Sequence, residues 1–274
     1  SPERVNPGNR RYTIANTPKI VSGVTPNCLF LVTEFYRQFV QEVVPVSSPR
    51  VAETAKLLEN TYRAVNIALV NELALICHRM GIDVWEVIQA ASTKPFGFHP
   101  FYPGPGIGGP CIPIAPFYLA YKAKEYHYRP RFLELVDKVN QMMPEFVVER
   151  TLQYLQNMGI SPQNARILLL GITYKADVAD TRQSPAVAIY LLLKKTGVSV
   201  DFHDPFIEEL PAENEILIRR GGSHPDYAQM GKYDLVVIAT DHSAYNWQKI
   251  VEHARKILDL RNAIPFSSEK VWKL

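Results

Sequence analysis

The chain has 274 residues, 47% of them hydrophobic and 21% charged, a globular composition that excludes general disorder. A net charge of +3 is too small to point to nucleic acid, and no apolar run approaches the ~20 residues of a membrane span. At about 150 residues per domain, two domains are expected.

Three cysteines, Cys28, Cys77 and Cys111, do not make a disulfide framework and suit the cytoplasm. No apolar run follows Ser1-Pro-Glu-Arg-Val to form a secretory signal. The chain opens at Ser1 rather than at methionine, so a processed or partial chain is expected. Residues 1–47 read as irregular, with short strands at 19–23 and 43–47 and a helix over 29–42. They hold too few apolar residues for a core of their own, and read as the tail of a domain lying upstream. The clearest helix covers 50–80, roughly 30 residues where the mean is about 11. It is apolar on most faces, which predicts a central, buried helix stopped by Gly81. A short helix follows over 84–91. Residues 93–116 then bring many prolines and glycines with several aromatics, which excludes a regular helix or central strand. A loop this long is functional or disordered, and its aromatics argue against disorder. Helices resume over 117–124 and 131–158. The last hundred residues alternate: strand 166–174, helix 185–196, strands 198–202 and 234–240, helix 245–254 and strand 256–260. This order predicts an α/β parallel sheet whose ligands sit at the carboxyl ends of its strands.

Several motifs carry chemistry. Gly104-Pro-Gly106-Ile-Gly108-Gly109 matches G-x-G-x-x-G, but it neither follows a strand nor opens a helix, so the dinucleotide reading is rejected. What remains is a loop that a ligand can approach closely, or a merely irregular one. Cys111 lies in that loop between Pro110 and Pro113 and is read as a nucleophile or an inert thiol. Cys28 and Cys77 are expected to be inert and buried, and no metal site is expected. Lys56 and Asn60 share a helix face, with Arg63 and Asn71 near the same stripe; the stripe is either solvated or lines a site. Ser184 and Pro185 suit the N-cap and first turn of a helix. With Lys175 and Arg182 nearby, that end suits a phosphate, or is simply a capped helix with solvated charges. Arg261 follows the closing strand at the same expected edge.

Together these motifs resemble the UDP-glucose/GDP-mannose dehydrogenase family of nucleotide-sugar 6-dehydrogenases over nearly the whole chain. Ser1-Pro-Glu-Arg-Val-Asn-Pro-Gly8 resembles the segment after the catalytic threonine of the family's NAD domain. Residues 52–72 are similar to its central helix, 103–113 to its catalytic loop, and 174–186 to the opening of its nucleotide-sugar domain. Residues 93–103 most resemble members acting on UDP-N-acetylglucosamine. The resemblance implies the tail of an N-terminal NAD-binding domain (1–47) and a central helical dimerisation domain with the catalytic loop (48–160). It implies a Rossmann-like parallel-sheet UDP-sugar-binding domain after them (161–274). It also implies a cytoplasmic homodimer joined through the central helices, with NAD as cofactor and a role in surface polysaccharide synthesis.

The implied reaction oxidises the C6 alcohol of a UDP-sugar to the carboxylate with two NAD+. Cys111 would form a thiohemiacetal and then a thioester that water hydrolyses. Lys56 would stabilise the oxyanion, Asn60 would hydrogen-bond there, and Glu3 would assist proton transfer or water attack. Phe101, Tyr102, Gly106, Gly108, Lys175 and Arg261 would hold the UDP-sugar, and Arg182 would reach the NAD pyrophosphate. Two positions depart from the family. Ala115 stands where an aspartate is usual four residues after the cysteine, and Pro110 where a histidine is frequent. Loss of such an aspartate can cost ~10²-fold in rate. The glycine fingerprint of the NAD half is also absent from this sequence, so the chain alone is not expected to turn over. The alternative is a non-catalytic dimer that binds a UDP-sugar.

Overall fold

In the computed structural model, all residues except 6–8, 10, 212–215 and 219–223 are described, so the last three residues of the Ser1-to-Gly8 motif lie outside the described residues. In chain order the elements are β1 (Lys19–Val21), α1 (Pro26–Arg37), β2 (Val43–Pro45), α2 (Pro49–Met80), α3 (Val84–Ala91), α4 (Ala115–Glu125) and α5 (Arg131–Asn157). There follow β3 (Arg166–Leu170), α6 (Pro185–Lys195), β4 (Ser199–His203), β5 (Glu209–Pro211), β6 (Ile216–Ile218), β7 (Leu235–Ile238), α7 (Trp247–His253), β8 (Ile257–Asp259) and β9 (Val271–Lys273).

Local chemistry sets most of these boundaries. The Thr25 side chain accepts the Cys28 amide and Pro26 fills the first turn, so α1 begins three residues before the expected 29–42, and it ends at Arg37, where the Gln38 amide turns back to the Phe35 and Tyr36 carbonyls. Gly81, at φ +69°, closes α2, and Asp83 accepts the Trp85 amide to start α3. Ser184 accepts the Ala186 amide and Pro185 opens α6, as its sequence predicts. β3 stops at Leu170, short of the expected 174, because Gly171 turns away at φ +80°.

Two compact units are distinguished. The first comprises Ser1–Arg63 and Ile114–Leu133. In it β1 and β2 pair in parallel, Ile20 opposite Val44, and Ile20 and Val21 are buried. Arg4 ties the N-terminal segment down through the Pro18 carbonyl and Glu59. Two expectations are corrected. Cys28 is exposed, since it follows the cap on the outer side of α1, while Cys77 is buried as expected. α2 is not covered all round: Leu58, Leu69 and Met80 are 63%, 62% and 65% exposed in the single chain. Its apolar character exceeds what its own chain covers.

The second unit comprises Ala64–Pro113 and Glu134–Leu274. Its sheet has the order β4-β3-β7-β8-β9, with every pairing parallel, as the β-α-β alternation predicts. Alternation along β3 sends Ile167 and Leu169 to one face, against Val147, Leu155, Ile189 and Leu193 of α5 and α6. Leu168 and Leu170 go to the other face, against Tyr245 and Ile250. β9 was not anticipated, because three half-buried residues at a sheet edge carry little pattern. Nor was the antiparallel pair β5-β6. Among the described residues no helix is long and apolar enough to cross a membrane, and no group of three or more His, Cys, Asp or Glu side chains could hold a metal.

Candidate active site

The strand order puts a topological switch between β3 and β7, since the chain leaves β3 for one side and returns on the other. The segments leaving these two strands flank the crevice in which such a sheet takes its ligand. They approach closely because Gly171 has no side chain: a Cβ there would lie 2.6 Å from the Thr240 carbonyl oxygen. The Thr240 hydroxyl donates to the Thr173 carbonyl at 2.6 Å and joins them.

The glycine-rich loop of the same unit is held against the first of these segments. Its Gly104 amide donates to Asn71 Oδ1 at 3.0 Å. Asn71 Nδ2 donates to Asn140 Oδ1 at 3.0 Å, and Asn140 Nδ2 to the Ala64 carbonyl at 3.3 Å. Asn71 is fully buried, so this ladder pins the loop to α2 and α5. Replacing Asn71 by alanine would strip buried partners from both Gly104 and Asn140. The expected cost is about 3 kcal/mol, read as a lower urea midpoint. An unchanged midpoint would show that the ladder does not hold the loop.

Further along, Gly106 (φ +131°) packs on the Asn140 carbonyl, 3.3 Å from where its Cβ would stand. Pro144, inside α5, has no N–H to donate to that carbonyl, which leaves room for the loop on the helix. A Cβ on Gly108 would lie 2.5 Å from Tyr174 Cβ, and one on Gly109 2.6 Å from the Tyr174 ring. The Gly109 amide donates to the Arg182 carbonyl at 2.9 Å. Cys111 follows after Pro110 and is exposed.

Of the expected substrate residues, Phe101 packs beside Trp85 and the exposed Tyr102 stacks on Trp85 at 6.1 Å. Arg261 lies under the loop entry, its Nη1 2.8 Å from where a Gly104 Cβ would be, and its Nε donates to the Ala239 carbonyl at 2.8 Å. Burial lowers its readiness to hold a proton. Lys175 is half-buried on the Thr173–Asp177 turn, its carbonyl accepting the Thr173 hydroxyl at 3.0 Å. Arg182 is exposed and paired with Asp180 at 2.6 Å, which holds the Asp180 carboxyl below the usual range. Thus Phe101, Tyr102, Gly106, Gly108, Cys111, Lys175, Arg182 and Arg261 all belong to this one unit.

Glu3, Lys56 and Asn60 belong to the first unit. There Lys56 is half-buried and Asn60 buried, one helical turn apart on α2. Glu3 accepts the amides of Val5 and Arg4 and Lys19 Nζ at 3.0 Å; the Val5 amide is the main cause of its lowered pKa.

The sequence reading missed Asn140, Asp204 and His242. A signal was present for the last two, since polar residues just beyond the carboxyl ends of β4 and β7 stand where a parallel sheet takes ligands.

Residues 50–142 match the family model described as the UDP-glucose/GDP-mannose dehydrogenase family, central domain. Residues 168–265 match that family's UDP binding domain. A UDP-N-acetyl-D-glucosamine 6-dehydrogenase of Pseudomonas aeruginosa is 38% identical over 89% of this chain and 57% of its own length. A UDP-N-acetyl-D-mannosamine dehydrogenase of Pyrococcus horikoshii is 34% identical over 96% of this chain and 60% of its own. The solved structure of a UDP-D-ManNAc dehydrogenase from Pyrococcus horikoshii superposes with a TM-score of 0.84 at 31% identity, covering 99% of this chain and 62% of that one. The chain thus spans about three fifths of the length of the relatives it matches.

Proposed function

Since the chain belongs to the UDP-glucose/GDP-mannose dehydrogenase family, we propose that it carries the catalytic cysteine and the UDP-sugar site of a cytoplasmic UDP-N-acetylhexosamine 6-dehydrogenase, UDP-N-acetylglucosamine being the first substrate to test. The supporting observation is the glycine loop seated on Tyr174 beside the β3–β7 crevice, with Cys111 left exposed. The proposal divides the chain at 1–47, 48–160 and 161–274. It pairs two copies through α2, whose exposed Leu58, Leu69 and Ile76 suit burial against a partner.

In this reading Lys175 and Arg261 bind the diphosphate. The Cys111 thiolate adds to the C6 aldehyde, a C–S bond forms, and the oxygen becomes an alkoxide that takes a proton, giving a thiohemiacetal. The Lys56 charge and the Asn60 amide stabilise that oxygen while it is anionic. The second oxidation converts the adduct to a thioester. Water attacks it, the C–S bond breaks, the thiolate leaves, and the carboxylate is released. Glu3, kept ionised by backbone amides and Lys19, suits orienting that water. Bound NAD would supply the hydride acceptor for both oxidations. The exposed, Asp180-braced Arg182 fits as one anion contact for its pyrophosphate. The described residues carry no dinucleotide fingerprint, so the activity is proposed for this chain working with a dinucleotide-binding domain.

The test joins such a domain from a relative ahead of Ser1 and supplies UDP-N-acetylglucosamine. Reduction of two NAD+ per sugar is expected; none, in a folded chimera that binds UDP, would overturn the reading. The second reading, a UDP-sugar-binding module without chemistry, is favoured by Ala115. Restoring the carboxylate with Ala115→Asp should raise the rate about 10²-fold. An unchanged rate would mean that another group already serves.

A further inference from the structure

The crevice contains a buried imidazole that the proposed chemistry does not use. His242, just beyond β7, is fully buried. Its Nδ1 lies 3.0 Å from the amide nitrogen of Asp177, and an amide can only donate. Nδ1 is therefore the acceptor, and the proton of the neutral ring sits on Nε2, 2.9 Å from Asp204 Oδ2 and 3.1 Å from the Thr173 hydroxyl. Asp204, also fully buried, accepts three backbone amides besides, those of Ile172, Thr173 and Phe206. Burial would raise its carboxyl, but the His242 and amide hydrogen bonds outweigh it and hold the group below its ordinary value. The rings of Phe206 and Tyr245 close the remaining sides of His242, at 5.2 and 5.5 Å.

The far end of this chain of contacts is strained. Asp177 has φ +59°, a conformation a non-glycine residue keeps only when its surroundings hold it. What holds it is the bond to His242, together with its own Oδ1 accepting the Ser243 amide at 2.9 Å. That carboxylate oxygen is 3.8 Å from His242 Nδ1. Lys175 lies between Thr173 and Asp177, so its backbone is clamped from both sides: its carbonyl by the Thr173 hydroxyl, and the turn after it by the imidazole.

We propose that His242, anchored by Asp204, is a positioning residue: it holds the 173–177 turn, and with it Lys175, in the form that grips the diphosphate of a UDP-sugar. The inference rests on the UDP-sugar reading above. The half of the imidazole that matters for binding is the Nδ1 acceptor, while the Nε2–H serves to orient the ring.

Two isosteric variants separate these halves in the full chain, with UDP as the calorimetric probe. His242→Asn keeps an acceptor near Nδ1 and loses the donor to Asp204. His242→Gln keeps the donor and loses the acceptor. Both lose stability, because each loses one buried hydrogen bond. Only the glutamine variant should lose affinity, by about 10-fold, with the asparagine variant within about 3-fold of the original. Equal losses in both, or none in the glutamine variant, would overturn the proposal and leave His242 a purely structural residue. Should a variant fail to fold, nitrogen NMR of the unaltered chain decides. The Nε2–H tautomer is expected, with its Nδ1 resonance moving on UDP binding; an Nδ1–H ring, or no response to UDP, would overturn it. Absence of UDP binding by the unaltered chain would instead overturn the underlying reading, and this inference with it.

Discussion

Replacing Cys111 by alanine should lower carboxylate formation by roughly 10⁴-fold or more in a chimera that supplies the dinucleotide-binding domain, while leaving the affinity for UDP within about 2-fold. The asymmetry follows from position. Cys111 is exposed at the end of the glycine loop, and the loop is held by other groups: the Asn71 ladder, the Gly109–Arg182 bond and the Tyr174 face. Removing the thiol takes away the covalent step and little of the packing. Any residual turnover should stop at the aldehyde, with one NAD+ reduced per sugar, since no thioester can form. Carboxylate production at the original rate in the alanine variant would exclude covalent catalysis by this residue.

The second large effect is expected at Gly108. A methyl group there would meet Tyr174 Cβ at 2.5 Å, the Gln183 carbonyl oxygen at 2.7 Å and Pro185 Cδ at 3.0 Å. The last two are backbone and a helix-opening ring, and neither swings aside. Gly108→Ala should therefore cost about 3 kcal/mol, a fall in Tm of roughly 6–10 °C, and weaken UDP binding through the displaced 174–185 segment. Gly104→Ala is the control. Its nearest neighbour is Arg261 Nη1 at 2.8 Å, the far end of a flexible side chain, so the expected stability loss is under about 1 kcal/mol. UDP affinity should still fall about 10-fold, because the guanidinium proposed to hold the diphosphate must move. If both variants melt together and bind UDP alike, the loop does not set the site.

Much of the fold was legible in the sequence because its signals are local. The alternation of buried runs such as Ile167 to Leu170 with capped helices such as α6 declares a parallel sheet before any tertiary contact is known. The loop of residues 104–111 was legible as a special backbone, since its glycines and prolines exclude helix and strand. Elements without local pattern were not: β9 is three residues at an edge, and the displaced start of α1 follows from one threonine cap. Cys28 and the outer face of α2 were misjudged for a related reason. Burial is not a property of a residue type but of what the rest of the chain brings against it, and composition does not report that.

For the candidate site the division is sharper. The sequence by itself determined which residues are candidates for the proposed chemistry: a thiol in a glycine-rich loop, a lysine and an asparagine one turn apart, and cations near a helix start and after a closing strand. These are properties of residue type and spacing, and they survive without coordinates. Only the tertiary structure decided which groups hold them. Asn71 meets Asn140 across 69 positions, Asp204 meets His242 across 38, and His242 meets the Asp177 amide across 65. A buried hydrogen bond forms because both partners have lost water and must find each other, and that loss of water belongs to the packed fold rather than to either residue's neighbours in sequence.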